Sequence, residues 1–367
     1  MFVYYLSKAL SKLDIETHVL IGRRGKSHPL KDTFDNLFFY QVRMKFSQGI
    51  CVSTSLLDNA LKICREVDPD VIHGNHFDGT IIGLCLKHSF GKPLVSTLHK
   101  TPLLFFPHEI VRRRAYYCFF NWVSKLDVDV FVAGSQAFQK ELKQLGLEEG
   151  KMALIYHGVP VPPRACVSSA TIPSEFHKKI VIACLSRLDR RKRLELFIRA
   201  CAIVKKNLPK KRFIFLITGQ DLSYGEKEYR NEIEYVAKQN GIKVDTELVF
   251  RTFATTEMLS LYKSAKAVVL PSEREGLALV VLESMAARVP VVASNTLGIR
   301  EVISDEKNGL LFNPGDEEDL ASQLTRILTE EGLAERLIKE GLSTVRRKFN
   351  DTIMAKSYLK LYNKITK

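Results

Sequence analysis

The stretch "PSEREGLALVVLESMAARVPVVAS" (271–294) sets two glutamates, Glu275 and Glu283, eight positions apart around a mostly apolar interval. The runs "AKAVVLPS" (265–272) before it and "PVVASN" (290–295) at its end read as strands rich in β-branched residues. Between them the pattern predicts a helix over residues 277–287. The first amides of such a helix have no intrahelical partners, so Gly276, Leu277, Ala278 and Leu279 are expected to form an anion-binding turn reinforced by the helix dipole. On one continuous helix the two glutamates would be separated by a rise of ~12 Å and an angular offset of ~80°. That spacing suits the two ends of one elongated ligand better than a shared proton or metal. A capped, partly buried helix with no ligand explains this stretch equally well when it is read alone.

Outward from this unit, short β-rich runs alternate with helical patterns in both directions. Toward the carboxy terminus the next strand is "NGLLFN" (308–313), and a final helix, "NDTIMAKSYLKLYNKI" (350–365), ends the pattern. Upstream are strands at "KKIVIACLSRL" (178–188), "RFIFLITG" (212–219) and "ELVFRTF" (247–253), with helices over 192–206 and 226–240. The run 159–176, "VPVPPRACVSSATIPSEF", mixes Pro and Ser without periodicity and reads as a linker. Before it, strands are predicted at 17–22, 70–75, 93–99, 128–135 and 153–158, with helices over 53–67 and 138–146.

Strands this apolar on both faces belong to parallel sheets covered by helices. The fold class is therefore α/β, with two doubly wound, Rossmann-like parallel-sheet domains facing a cleft. The expected bounds are an amino-terminal domain over 1–163, a linker over 164–177, a carboxy-terminal domain over 178–345 and a terminal helix, 346–367, returning to the first domain. The chain opens on an amphipathic helix, "FVYYLSKALSKL" (2–13), where a doubly wound domain normally opens on a central strand. Either that strand is missing from this start or the first sheet is built differently.

A net charge of +14 over 367 residues points to anionic company such as phosphorylated ligands or an acidic membrane surface. Seven cysteines with no CxxC pair fit a reducing compartment and buried thiols. No apolar run reaches the ~20 residues of a membrane span, and the start lacks the features of a signal peptide. The expectation is a cytoplasmic protein, with a peripheral seat at the inner face of the membrane. The cation-aromatic segment "VRRRAYYCFFNWVSKL" (111–126), with Lys100 and "GRRGK" (22–26), would supply that seat. No GxxxxGK[ST] or GxGxxG fingerprint occurs, which disfavours NTPases and dehydrogenases. His73, His76 and His99 lack the carboxylate spacing of a zinc site. Ser135 in "AGSQAF" reads as a helix N-cap, and His157 in "YHGVP" as a strand-end residue.

A second cluster, "LSRLDRRKRLEL" (185–196), places Arg187 and Lys192 after the first strand of the second domain, where cations can neutralise a pyrophosphate. Together these segments resemble glycosyltransferase family 4, of the GT-B fold. Its E-x7-E signature appears as "EGLALVVLESMAARVPVVASNTLGIREVI" (275–303), its "GRLxxxKG" loop as "SRLDRRKR" (186–193), its "THG" loop as "STLHKTP" (96–102) and its "PNGVD" element as "YHGVP" (156–160).

The resemblance implies a retaining, metal-independent hexosyl-type transferase that moves a sugar from a nucleotide-sugar donor to an acceptor. It implies no cofactor, no nucleic acid, and work in polysaccharide, glycolipid or cell-envelope glycan synthesis on a glycan or lipid-linked acceptor. By the same resemblance Arg187 and Lys192 hold the donor diphosphate, helped by the amides of Gly276, Leu277, Ala278 and Leu279. Glu283 accepts from ribose hydroxyls, Glu275 meets the transferred sugar, and His99 reaches that sugar across the cleft. Gly219, in the loop "TGQDLS" (218–223), joins the donor-binding set as part of the region left for base recognition, with "FRTFAT" (250–255). The chain departs from the pattern at Ala278, Arg288 and Leu297, each standing where the family has glycine. The absent first strand, with its glycine-rich loop, gives the alternative of a sugar-nucleotide-binding protein impaired in transfer.

Overall fold

Strand β7, Ile180–Leu185, shows why the second half of the chain folds as a covered sheet. Successive side chains on a strand point to opposite faces. Ile182 and Cys184 enter one apolar cluster and Val181, Ala183 and Leu185 another. Both faces must therefore be covered by helices, as the apolar runs predict. The computed structural model describes residues 1–23, 36–43, 54–99, 121–123, 125–169, 171–218, 224–251 and 257–367. They form two compact units, Met1–Gly158 with Asp351–Lys367, and Val159–Asn350.

In the second unit β7 is joined by β8 (Phe213–Thr218), β9 (Leu248–Phe250), β10 (Ala265–Leu270), β11 (Val291–Ser294) and β12 (Leu310–Phe312). Their order is β12-β11-β10-β7-β8-β9, and every pairing is parallel. From β7 the chain moves one way to β8, and from β10 the other way to β11. Right-handed crossovers then require helices on opposite faces. The β7–β8 helix buries Leu194, Phe197 and Cys201 in one cluster, while Ala287 and Val289, just after the β10–β11 helix, lie in the other. The strand order reverses between β7 and β10, and ligands of open α/β sheets bind in the crevice at such a point.

The stretch 164–177, expected as a linker, is built into this unit. It holds a helix, Arg164–Ser169, and a 3-10 turn, Ser174–Phe176, whose Phe176 is buried in the same core as Tyr262 and Val268. Composition hid a single aromatic anchor. The first unit ends at Gly158, not 163, and resumes at Asp351.

The described strands of the first unit form two sheets. One pairs β1 (Thr17–Arg23) with β2 (Leu37–Arg43), a strand the sequence reading missed, in parallel. The other runs β3 (Ile72–Asn75), β4 (Leu94–Leu98), β5 (Val130–Ala133), β6 (Met152–Leu154). Ser135 caps the helix Gln136–Gln144, its hydroxyl accepting from the Phe138 amide at 3.1 Å. Of the described cysteines, Cys64, Cys184 and Cys201 are buried and free, while Cys85 and Cys166 are exposed. Burial pushes the Cys184 thiol up to about 12.

The last helix, Asp351–Ile365, packs on the opening helix, Phe2–Ser11. Its Tyr358 hydroxyl lies 2.9 Å from the Thr97 hydroxyl, and its Tyr362 hydroxyl 2.7 Å from His73 Nδ1. Tyr358→Phe removes one buried link between this helix and β4, and is expected to cost about 1 kcal/mol. An unchanged urea midpoint would show that the hydroxyl adds nothing to the docking.

Candidate active site

Two loops leave neighbouring strands at the point of order reversal. The first follows β7 and makes a 3-10 turn at Arg190–Lys192 before the helix Leu194–Asn207. Asp189 caps the turn, accepting from the Arg191 amide and Nε at 3.1 Å and from its Nη2 at 2.5 Å. Burial pushes the Asp189 carboxyl up, but the Arg191 hydrogen bonds outweigh it and hold it below its ordinary range. Arg193, where the family pattern has glycine, takes the left-handed conformation at φ 49°. Glu195 and Glu273 hold its guanidinium, at 2.6 and 2.7 Å.

The second loop follows β10. Its Glu273 amide donates to the Arg191 carbonyl at 3.0 Å, and its Glu275 carboxylate accepts from Lys192 Nζ at 2.5 Å. Lys192 and Glu275, both picked out from the sequence, thus meet directly. Arg187 is the open member of the group, 65% exposed, with Asp189 at 3.9 Å.

The helix after this loop starts two residues later than predicted. It runs Leu279–Ala286 with Ala278 as N-cap, and its first turn bonds Val281 N–H to the Ala278 carbonyl at 3.0 Å. The amides at the positive end of the dipole are therefore those of Ala278, Leu279 and Val280. Gly276 and Leu277 sit in the loop, because a bend at these positions precedes the helix. Glu275 is likewise off the helix, so the rise of a continuous helix does not describe its separation from Glu283. Glu283 does lie on the helix and accepts from the buried Tyr262 hydroxyl at 3.2 Å.

Arg288 has φ 64°, the left-handed value that glycine serves at this position, and its Nη1 donates to the Pro162 carbonyl at 3.2 Å. Gly298 presses on the second loop: a Cβ there would stand 2.0 Å from the Gly276 oxygen and 2.2 Å from the Glu275 oxygen. Leu297 beside it is 71% exposed. Nearby, the buried hydroxyls of Ser272, Ser294 and Thr296 find no hydrogen-bond partner among the described residues, as expected of a strand edge that faces polar ligand or water.

His99 lies in the first unit, just after β4, in a cluster of imidazoles. Its Nδ1 is 3.3 Å from His157 Nε2, and its Nε2 is 3.4 Å from Asn75 Oδ1. His73 Nε2 meets the Thr97 hydroxyl at 2.7 Å. Burial pushes His73 and His157 down to about 4, and burial followed by the neighbouring imidazoles holds His99 well below its ordinary value. His157 packs on Gly134, where a Cβ would come within 2.4 Å of its ring. No group of three His, Cys, Asp or Glu side chains suited to a metal occurs among the described residues.

Gly219 lies outside the described residues, as do most of "TGQDLS", "FRTFAT" and the cation-aromatic segment with Lys100. Among the described residues no helix is long and apolar enough to cross a membrane. The sequence reading missed Tyr262, which lies on a different helix, 21 residues before Glu283. It also missed Asp189, although an acidic residue before a basic turn is a capping signal.

Gly298→Ala should displace the Glu275–Gly276 backbone and lower transfer activity at least tenfold while the far-ultraviolet spectrum stays native; full activity would show that the contact yields freely. A second expectation concerns pH. Neutral histidines with folded pKa values near 4 bind fewer protons than the unfolded chain between pH 6.5 and 4, so stability is lost as pH falls through that window. His73 and His157 should each remove about 2 kcal/mol on going from pH 7.5 to 5.0. Urea midpoints at both values check this, and His157→Asn should show a smaller drop than the wild type.

The family model described as Glycosyltransferase Family 4 matches residues 1–161, and that described as Glycosyl transferases group 1 matches residues 170–344. An uncharacterized glycosyltransferase of Methanocaldococcus jannaschii is 27% identical over 309 residues, spanning 80% of this chain and 75% of that one. Sulfoquinovosyl transferase SQD2 of Arabidopsis thaliana is 27% identical over 307 residues, covering 77% of this chain and 54% of its own length. Among solved structures, sucrose-phosphate synthase from Thermosynechococcus elongatus superposes with a TM-score of 0.79 at 21% identity, over 99% of this chain and 92% of that one. Anabaena Alr3699/HepE, in complex with UDP and glucose, does so with a TM-score of 0.75 at 18% identity, over 98% and 95%. At these identities the two structures establish the fold alone. With both halves matched in order by glycosyltransferase families, the chain belongs to the GT-B glycosyltransferases.

Proposed function

We propose that this glycosyltransferase takes its sugar from a nucleoside-diphosphate sugar held at the order reversal of the second unit, and transfers it with retention at the anomeric carbon. The observation that carries the reading is the meeting of Lys192 and Glu275 on the loops after β7 and β10, at 2.5 Å, with the amino terminus of the helix Leu279–Ala286 directly following. The position is the one at which open α/β sheets bind nucleotides. Arg187, Lys192 and the amides of Ala278, Leu279 and Val280 supply positive charge for a diphosphate. When the bond from the anomeric carbon to the diphosphate breaks, its electron pair goes to the diphosphate, and these groups stabilise the developing charge. The acceptor hydroxyl oxygen forms the new bond to the same carbon, on the face the diphosphate leaves, and its proton passes to the departing diphosphate oxygen.

Glu283, oriented by Tyr262, is assigned to the ribose hydroxyls, and Glu275 to hydroxyls of the transferred sugar. His99, a neutral imidazole with both nitrogens near polar partners, is suited to exchange one of them for a sugar hydroxyl. The solved relative that carries UDP and glucose supports a nucleotide-sugar donor. The cations present take the part a divalent ion would play, so activity is expected to persist in EDTA. A glycan or lipid-linked acceptor in polysaccharide, glycolipid or envelope synthesis completes the reading, with the protein at the inner face of the membrane.

A thermal-shift panel of UDP, GDP and ADP sugars tests the donor. A true donor at 100 times its Kd adds about 2.7 kcal/mol, a shift of several degrees. Arg187→Ala and Glu283→Ala should each weaken that donor at least tenfold. No shift with any of the three, or full affinity in both variants, would refute the assignment.

A further inference from the structure

We infer that Glu275 is an internal competitor for Lys192, and that this competition makes the site favour an intact nucleotide sugar over the nucleoside diphosphate left after transfer. The inference rests on the donor site proposed above. The Lys192–Glu275 pair is 2.5 Å long, and its side chains are only 19% and 15% exposed. The frame around it stands without it. The two loops are joined separately by the Glu273 amide on the Arg191 carbonyl and by Arg193 on Glu273, while Gly298 abuts the Glu275 carbonyl. Breaking the pair therefore need not unfold the site.

A phosphate that binds Lys192 has to replace the Glu275 carboxylate. A charged group this sheltered, left without a partner, costs more than the net worth of an ordinary hydrogen bond. An intact donor offers sugar hydroxyls that can donate to the displaced carboxylate. A nucleoside diphosphate has no sugar there and leaves the carboxylate unpartnered beside an anion. Once the sugar has moved to the acceptor, Glu275 retakes Lys192 and the product is expelled. Arg187 differs, because it is largely exposed and its contact with Asp189 is long, so a phosphate reaches it without displacing a buried partner.

Calorimetry on the full chain with UDP, GDP and inorganic pyrophosphate tests the inference, using the wild type, Glu275→Gln and Glu273→Gln. Glutamine keeps the shape of the side chain and removes the competing charge. Glu275→Gln should bind the preferred diphosphate about tenfold more tightly, the scale of one charge-assisted hydrogen bond, while its transfer activity falls. Glu273→Gln, two residues away on the same loop and still able to accept from Arg193, should bind it within about twofold of the wild type by the same scale. Unchanged or weaker binding by Glu275→Gln overturns the inference. An equal gain in Glu273→Gln also overturns it, since loss of any local negative charge would then suffice. If no protein binds any of the three anions, the donor site itself falls, and the inference with it.

Discussion

Everything at the candidate site depends on β7 and β10 lying side by side while their crossovers depart in opposite directions. Parallel pairing fixes the strand ends at one level, and right-handed crossovers carry one helix to each face. The two following loops are thereby brought together at the edge of the sheet. A basic turn and an acidic loop, 83 residues apart in sequence, become hydrogen-bonding neighbours.

Charge in that crevice is arranged in two grades. Asp189, Glu195 and Glu273 hold Arg191 and Arg193, and these pairs set the shape of the first loop and tie it to the second. Lys192 and Glu275 form the exchangeable pair, and Arg187 stands open. A left-handed residue other than glycine is disfavoured by about 1–2 kcal/mol, yet arginine occupies that conformation at both 193 and 288. In each case the guanidinium makes a bond that glycine could not, to Glu195 and Glu273 or to the Pro162 carbonyl. These departures from the family pattern keep the backbone geometry that the glycines would provide.

The first unit solves a different problem. The ends of β3 and β4 and the segment after β6 bring Asn75, His99 and His157 together, and Tyr358 and Tyr362 of the last helix cover His73 and Thr97. These imidazoles stay neutral because burial denies them the solvation a charge needs. A cluster of neutral imidazoles offers hydrogen bonds to uncharged hydroxyls and does not repel cations, which distinguishes it from the arginine-lined crevice of the second unit.

The sequence by itself determined the six strands of the second unit in their chain order, their parallel covered sheet and the residues on the loops after β7 and β10. Those follow from periodicity of 2 and 3.6 and from local charge, which act between near neighbours along the chain. The family pattern, with glycine where this chain has Arg288, pointed to the position at which the structure has positive φ. Only the tertiary structure decided that Glu275 stands off the helix, that Tyr262 orients Glu283, that Phe176 roots the supposed linker in the second core, and that the described strands of the first unit form two sheets. Each of those depends on contacts between segments distant in sequence. Helix starts and buried anchors are set by the packing energy of the whole unit, which no local pattern contains.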